Sequence, residues 1–383
     1  MNVNNLESKR VEYLDSLRGL ASISVVISHF VLAFRLDVQF KMIYFSPLHF
    51  FFDGFSAVTL FFILSGYVLT LSLERNNHLF LESFYLKRIF RIMPAYVMTL
   101  FLSAIAYYYF QKGIHVNNWA TEFWNKPLDF LHFCRQVVFF SPNGNAELVP
   151  QNWSLKIEML YSFLIPFLYF IYKKLGSLYF SFLVVILYLF FQLPVFIIHF
   201  SLGIFLALNQ KRIVVFFQKI KVRYRIILIL LILFLYTYRY TVPMYYYYIF
   251  RKQSVILNNE NLIWIITGIG AFLVLLYSLS SNKLQKFLNF KAFVFIGRIS
   301  YGIYLTHMIV LISIIPGVVV TLENLGFNNQ YTILGIAFIV LLILTFLISY
   351  FLTRFVEIPM ARIGGVFFKK QKVKTLDPSL LQS

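Results

Sequence analysis

Acidic residues are scarce in this chain: 15 Asp and Glu stand against 34 Lys and Arg in 383 residues, and charged residues of both signs make up only 13%. Cysteine is scarcer still, with Cys134 alone. That excludes an intrachain disulfide and any cysteine-based metal cluster. No polar run is long enough for a separate soluble domain; the longest lies near residues 111–152. No internal repeat of the kind carried by many transporters is visible, and no serine sits in a G-x-S-x-G context.

What the chain has instead is apolar surface. It is 60% hydrophobic and 20% aromatic, with a mean hydropathy of +0.75, which places it among polytopic membrane proteins. Apolar segments near residues 17–34, 55–73, 91–110, 153–172, 177–193, 195–209, 225–240, 262–280, 299–320 and 331–355 predict an all-α bundle of about ten transmembrane helices. The fifth and sixth are short and divided only by "FQLP", so they read either as a re-entrant pair or as one broken helix. With the N-terminus inside, 25 Lys and Arg fall on the inner side and 8 on the outer. A bias of that sign puts both termini in the cytoplasm, and the net charge of +19 then needs no nucleic acid. The first apolar run has no small-residue cleavage site after it and is expected to stay as a helix. The boundaries expected are a membrane domain over 1–362 and a short basic cytoplasmic tail over 363–383.

Ionisable side chains inside a bilayer are costly and face a bundle interior or a wet cavity. The candidates are His29, Lys156, Glu158, His199 and His307. His29 lies eleven positions after Arg18 in "YLDSLRGLASISVVISHF", about 16 Å along a helix and near the bilayer middle if Arg18 marks the inner face. It reads as a general base or proton carrier, or as a neutral imidazole bonded to a neighbouring helix. Glu158, in "NWSLKIEMLYSF", can orient a histidine or bind a polar substrate, or reach back to the interface; Lys156, two residues away, points to another face. His307 and His199 read as structural. Arg88 and Arg91 in "FYLKRIFRIMPAY" share a helical face and suit phosphate groups bidentately, although arginines also anchor helices at a membrane surface. Pro94 is expected to interrupt the start of the third span. In "FFILSGY", Ser65, Gly66 and Tyr67 read as close packing.

Together, "YLDSLRGLASISVVISHF", "FFILSGYVLT", "FYLKRIFRIMPAY", "NWSLKIEMLYSF", "FIGRISYGIYLTH" and "FVEIPMARI" resemble, in order, the motifs of the membrane-bound acyltransferase family three. That family includes bacterial O-acetylases of lipopolysaccharide O-antigen and other surface glycans. The resemblance covers the first four spans and the last two; from about 170 to 290 only apolar helices correspond. Ser16 stands where a glycine is frequent, and "VEIP" replaces the commoner "VEKP".

The resemblance implies transfer of an acyl group, usually acetyl, from cytoplasmic acyl-CoA to a hydroxyl of a glycan or lipid-linked glycan, by a multi-pass protein of the bacterial cytoplasmic (inner) membrane. It makes His29 essential to catalysis, with Arg18, Arg88 and Arg91 as the acyl-CoA side. Glu158 is the favoured partner of His29 over Asp15, and an acyl-histidine relay fits these residues equally. Ser65, Tyr67, Trp153 and His307 are further candidates. Acyl-CoA enters as co-substrate, and no bound cofactor or metal is implied. Some members carry a fused extracytoplasmic esterase-like domain; without one, transfer is expected within the membrane domain or through a separate periplasmic or polysaccharide-assembly protein. The competing classes are a proton-coupled transporter, which also uses buried His, Lys and Glu, and a glycan polymerase or flippase.

Overall fold

The structure is a computed structural model and describes residues 11–36, 45–75, 81–110, 119–140 and 146–364. All but two residues of the expected basic tail lie outside that set. Among the described residues every regular element is helical. The longer ones are α1 (Glu12–Ala33), α2 (Gly54–Arg75), α3 (Leu81–Phe110), α4 (Phe130–Val137), α5 (Asn152–Leu189), α6 (Phe196–Gln218), α7 (Val222–Tyr236), α8 (Tyr238–Phe250) and α9 (Glu260–Ser280). They continue as α10 (Asn282–Leu288), α11 (Lys291–Arg298), α12 (Ser300–Ser313), α13 (Ile315–Asn324) and α14 (Gln330–Leu352).

Among the described residues seven helices are long and apolar enough to cross a membrane, or up to nine if each bent pair is one span. The difference of one from the expected ten lies in α5, whose 38 residues take in both the segment at 153–172 and most of that at 177–193. Straight, it would run about 57 Å, nearly twice the hydrocarbon thickness. Its helical geometry breaks at Gly176, at φ 79° and ψ 172°, a conformation that a side chain would strain. The expected spans at 225–240 and 299–320 meet two bent pairs: Arg223–Tyr236 and Tyr238–Tyr247 meet at 75°, and Lys291–Arg298 and Ser300–Ser313 at 69°, the second bend lying at the start of the expected span.

The chain divides into two compact units. The first comprises Met1–His78 and Trp153–Ser300. In it α2 packs against α1, α6 and α9, and α1 also packs against α11. Contact between α2 and α6 is backbone to backbone: a Cβ on Gly203 would stand 2.6 Å from the Tyr67 nitrogen and against the Ile63 carbonyl, and one on Gly66 would meet the Phe200 carbonyl. "SGY" is therefore a packing motif, as its small residues suggest. Tyr67 is almost fully buried beside it, and its hydroxyl donates to Gln210 Oε1 at 2.8 Å. Arg298 at the end of α11 closes on Glu12 at 3.1 Å, joining the fifth motif to the residue just ahead of the first.

The second unit comprises Leu79–Asn152 and Tyr301–Ser383. Two buried amides tie it together. Gln136 donates to the Ala146 carbonyl at 2.9 Å and accepts from the Leu148 N–H at 2.9 Å. Gln151 donates from Nε2 to two successive carbonyls of α12, Tyr304 and Leu305, both at 2.8 Å. After α14 the helix widens into a π turn at Thr353–Glu357, where the Ile358 N–H reaches back to the Thr353 carbonyl. Pro359 follows, and its missing N–H could not continue an α ladder there.

Many hydroxyl groups in the spans are bonded inside their own helices. Thr59 donates to the Phe55 carbonyl, Thr70 to Gly66, Thr267 to Ile263, Ser278 to Val274 and Thr306 to Gly302. This is how such groups are tolerated without water.

The α2–α6 contact predicts a specific sensitivity. Gly203→Ala forces a methyl against backbone that cannot rotate away, a strain of about 1–3 kcal/mol, and should lower the melting temperature in detergent. Gly335→Ala, where a Cβ would have nothing within 4 Å, should leave it unchanged. Equal melting of the two variants would refute the close approach.

Candidate functional site

α1 carries the first motif on one continuous helix. At its start Asp15 is buried and pairs with half-buried Arg18, Nη1 to Oδ1, at 3.4 Å. Near its other end stands His29, half-buried. Because the helix begins at Glu12, His29 lies about 26 Å from its first residue and only about 6 Å from its last. His29 is thus little more than one turn from the helix end, as its place five residues before the close of the apolar segment at 17–34 implies.

Several elements of the first unit meet at that end. Gly54, opening α2, lies against Ser28, since a Cβ there would be 2.8 Å from the Ser28 Cβ. Phe55 meets Trp264 near the start of α9 at 3.8 Å between centroids, the rings tilted by 36°, and Trp264 meets Trp153 near the start of α5 at 6.2 Å. Glu158 is six residues into α5, about 9 Å from its start, and is half-buried. The Ser65 hydroxyl donates to Glu158 Oε1 at 3.3 Å. Sequence order separates these two residues by 93 positions, and α2 and α5 bring them together. Lys156 is exposed, on another face from Glu158. Trp153 is 43% exposed.

His199 is fully buried, and it has polar company that its sequence neighbours do not reveal: Nε2 donates to the Trp264 carbonyl at 2.9 Å, because Gly268 leaves space for the ring.

Arg88, Arg91 and His307 belong to the second unit. The segment with the arginines is helical from Leu81 and continues through Pro94. The expected interruption at Pro94 is therefore corrected; a membrane helix tolerates the lost N–H when neighbouring groups satisfy the freed carbonyl. Arg88 is buried whereas Arg91 is exposed, so the pair does not share one environment. The Tyr301 hydroxyl donates to the Ile92 carbonyl at 2.9 Å, linking this motif to "SYGIYLTH". His307 is fully buried, with Nδ1 3.0 Å from the Ile303 carbonyl. A carbonyl only accepts, so Nδ1 carries the proton and Nε2 is the basic nitrogen of the neutral ring.

Sequence reasoning passed over His49 and Asp53, both fully buried ahead of α2. Their signal was the four-residue spacing in "HFFFD", in a stretch read as a loop. Nε2 of His49 stands 3.9 Å from Asp53 Oδ2. The Ser56 N–H donates to Oδ1 at 2.8 Å, and the Ser56 hydroxyl lies 3.0 Å from Oδ2 and 2.5 Å from the Tyr236 carbonyl. That hydroxyl has one proton and two neighbours that want it. Burial pushes the Asp53 carboxyl up to about 7, against its Ser56 bonds and the Arg239 charge. Burial also pushes the His49 imidazole down to about 3. Among the described residues no group of three or more His, Cys, Asp or Glu is placed to hold a metal ion.

Long apolar helices with a few polar groups meeting inside the unit define a multi-pass membrane protein. The acyltransferase family 3 model, described as an acyltransferase domain, matches residues 11–354. The chain belongs to this family and is a membrane acyltransferase. No curated protein and no solved structure matches it.

The His49–Asp53 pair predicts an unusual pH response. Folded, it is a neutral acid beside a neutral imidazole; unfolded, at ordinary values of 3.8 and 6.5, it is a carboxylate and an imidazolium. Each state holds one proton between about pH 4 and 6.5, so the pair contributes no slope there. His49→Phe leaves an acid protonated when folded and ionised when unfolded, and stability should fall as pH rises from about 4 to 7. Asp53→Asn leaves a histidine neutral when folded and charged when unfolded, and stability should fall as pH drops from about 6.5 towards 3. Melting in detergent across this range should give opposite slopes for the two variants; parallel slopes would sink the neutral pair.

Proposed function

We propose that the chain moves an acyl group, acetyl in the first instance, from cytoplasmic acyl-CoA to a hydroxyl of a cell-surface glycan such as lipopolysaccharide O-antigen or exopolysaccharide, in the bacterial inner membrane, with about ten spans and both termini cytoplasmic. The observation that carries this reading is that Arg18 and His29 stand on the single helix Glu12–Ala33, about 16 Å apart. An anion contact at one end and a base near the other match a donor that arrives from one side and an acceptor that arrives from the opposite side.

In the proposed reaction His29 takes the proton of the acceptor hydroxyl. The hydroxyl oxygen forms a bond to the thioester carbonyl carbon, the carbon–sulfur bond breaks, and CoA leaves as its thiolate. Glu158, held by Ser65, orients His29 and favours the imidazolium that forms. Arg18, Arg88 and Arg91 bind phosphates of acyl-CoA. Burial of Arg88 makes it the more demanding position to vary, and exposed Arg91 the cleaner one.

Mass spectrometry of surface polysaccharide from cells with and without the gene should reveal a lost acetyl mass. His29→Ala, inserted at normal level, should abolish transfer from labelled acetyl-CoA; retained transfer would refute the base. Arg91→Ala should raise KM for acetyl-CoA about tenfold, the loss of about 1.4 kcal/mol, with the acceptor KM unmoved. Equal effects on both would count against an acyl-CoA contact. Solute flux without acyl transfer or acyl-CoA hydrolysis would favour a transporter instead.

A further inference from the structure

Four aromatic side chains from four helices meet at the end of the first unit where α1 terminates. Trp264 of α9 lies 3.8 Å from Phe55 of α2 and 5.0 Å from Phe196 of α6, between centroids. Trp153 of α5 lies 6.2 Å from Trp264 and 6.4 Å from Phe196. Phe55, Phe196 and Trp264 are half-buried, and Trp153 is the most open of the group. Arg239 borders the rings, its guanidinium 4.3 Å from the Phe55 centroid. It donates to Glu260 at 3.2 Å, with 31% and 65% of the two side chains exposed.

An interfacial belt of aromatics is spread around a membrane protein so that each ring meets lipid. Here the rings are gathered on one another, and a charged donor and a charged acceptor stand beside them. An acyl chain could use the rings but would strip water from Arg239 and Glu260 with nothing in return. A pyranose ring meets both demands. Its C–H face covers an aromatic plane, and its hydroxyls accept from the guanidinium and donate to the carboxylate.

We infer that Trp153, Trp264, Phe55 and Phe196, with Arg239 and Glu260, form a saccharide-binding surface that holds the acceptor. The word acceptor rests on the acyltransferase reading above; the binding of a sugar ring does not. The surface lies at the end of the unit that also carries His29, so a ring seated there presents its hydroxyls close to the proposed base.

The test uses the full chain in lipid nanodiscs without acyl-CoA. The probe is surface polysaccharide of the producing cells, freed of esters by mild alkali and cut to single repeating units. Two of the four tryptophans belong to the surface, and Trp119 and Trp124 belong to the second unit. Titration should change tryptophan emission saturably. Trp153→Ala and Glu260→Gln should each raise Kd at least tenfold, Trp153→Phe should keep most of the affinity, and Trp119→Phe should bind as wild type. Trp153 is open enough to be truncated without harm to the fold. Absence of saturable binding, or an unchanged Kd in both Trp153→Ala and Glu260→Gln, would overturn the assignment. Binding with the expected variant pattern but no acyl transfer would instead remove the acyl-CoA reading and leave the surface standing. Acyl-CoA consumption with all variants binding alike would remove the surface alone.

Discussion

Hydrocarbon offers no water, so each polar group placed in it must find its partner in the protein. This constraint shapes every element of the chain. Backbone groups are satisfied by helix formation, and most span hydroxyls by the carbonyl one turn back. Close backbone contact between helices, as at Gly66 and Gly203, then brings the remaining polar groups within reach of another helix. Ser65 with Glu158, Tyr67 with Gln210 and Ser56 with the Tyr236 carbonyl are the groups that reach across. A polar contact between helices is thus rare by construction, and its occurrence marks where the bundle holds something other than packing.

Much of this was legible from composition. Runs of apolar residues predict spanning helices because length and hydropathy are local properties. Small residues in "SGY" predict close approach for the same reason. The positions that sequence could not fix are those where one residue decides the geometry. At Gly176, between the two apolar segments that the sequence divides, the backbone leaves helical space without ending the helical run. At Pro94 a residue that ends soluble helices sits within a membrane helix.

Site residues were legible in kind and only partly in arrangement. Glu158 stood out as a carboxylate in an apolar stretch, yet its bond to Ser65 depends on two helices 93 positions apart meeting. His49 and Asp53 escaped because a loop residue draws no notice for being polar; only their complete burial reveals them. Trp153 is the reverse case: tryptophan in a membrane protein is ordinary, and it gains meaning only once Trp264, Phe196 and Phe55 are seen to converge on it.

The length of α1 also bears on how a charged donor can serve a site inside a membrane. Phosphates of acyl-CoA cannot enter hydrocarbon cheaply, whereas a thioester on a neutral arm can. A helix that holds an arginine near one end and a histidine near the other separates these two demands by about 16 Å. In the proposed reaction the charge stays with the guanidinium, and the reacting carbon travels. The proposed acceptor, rich in hydroxyls, has the opposite problem, since it loses water unless polar groups replace it. Arg239 and Glu260 beside a cluster of rings would supply such groups at the His29 end. On this view the single helix Glu12–Ala33 measures the distance over which an acyl group must pass from one solvent to the other.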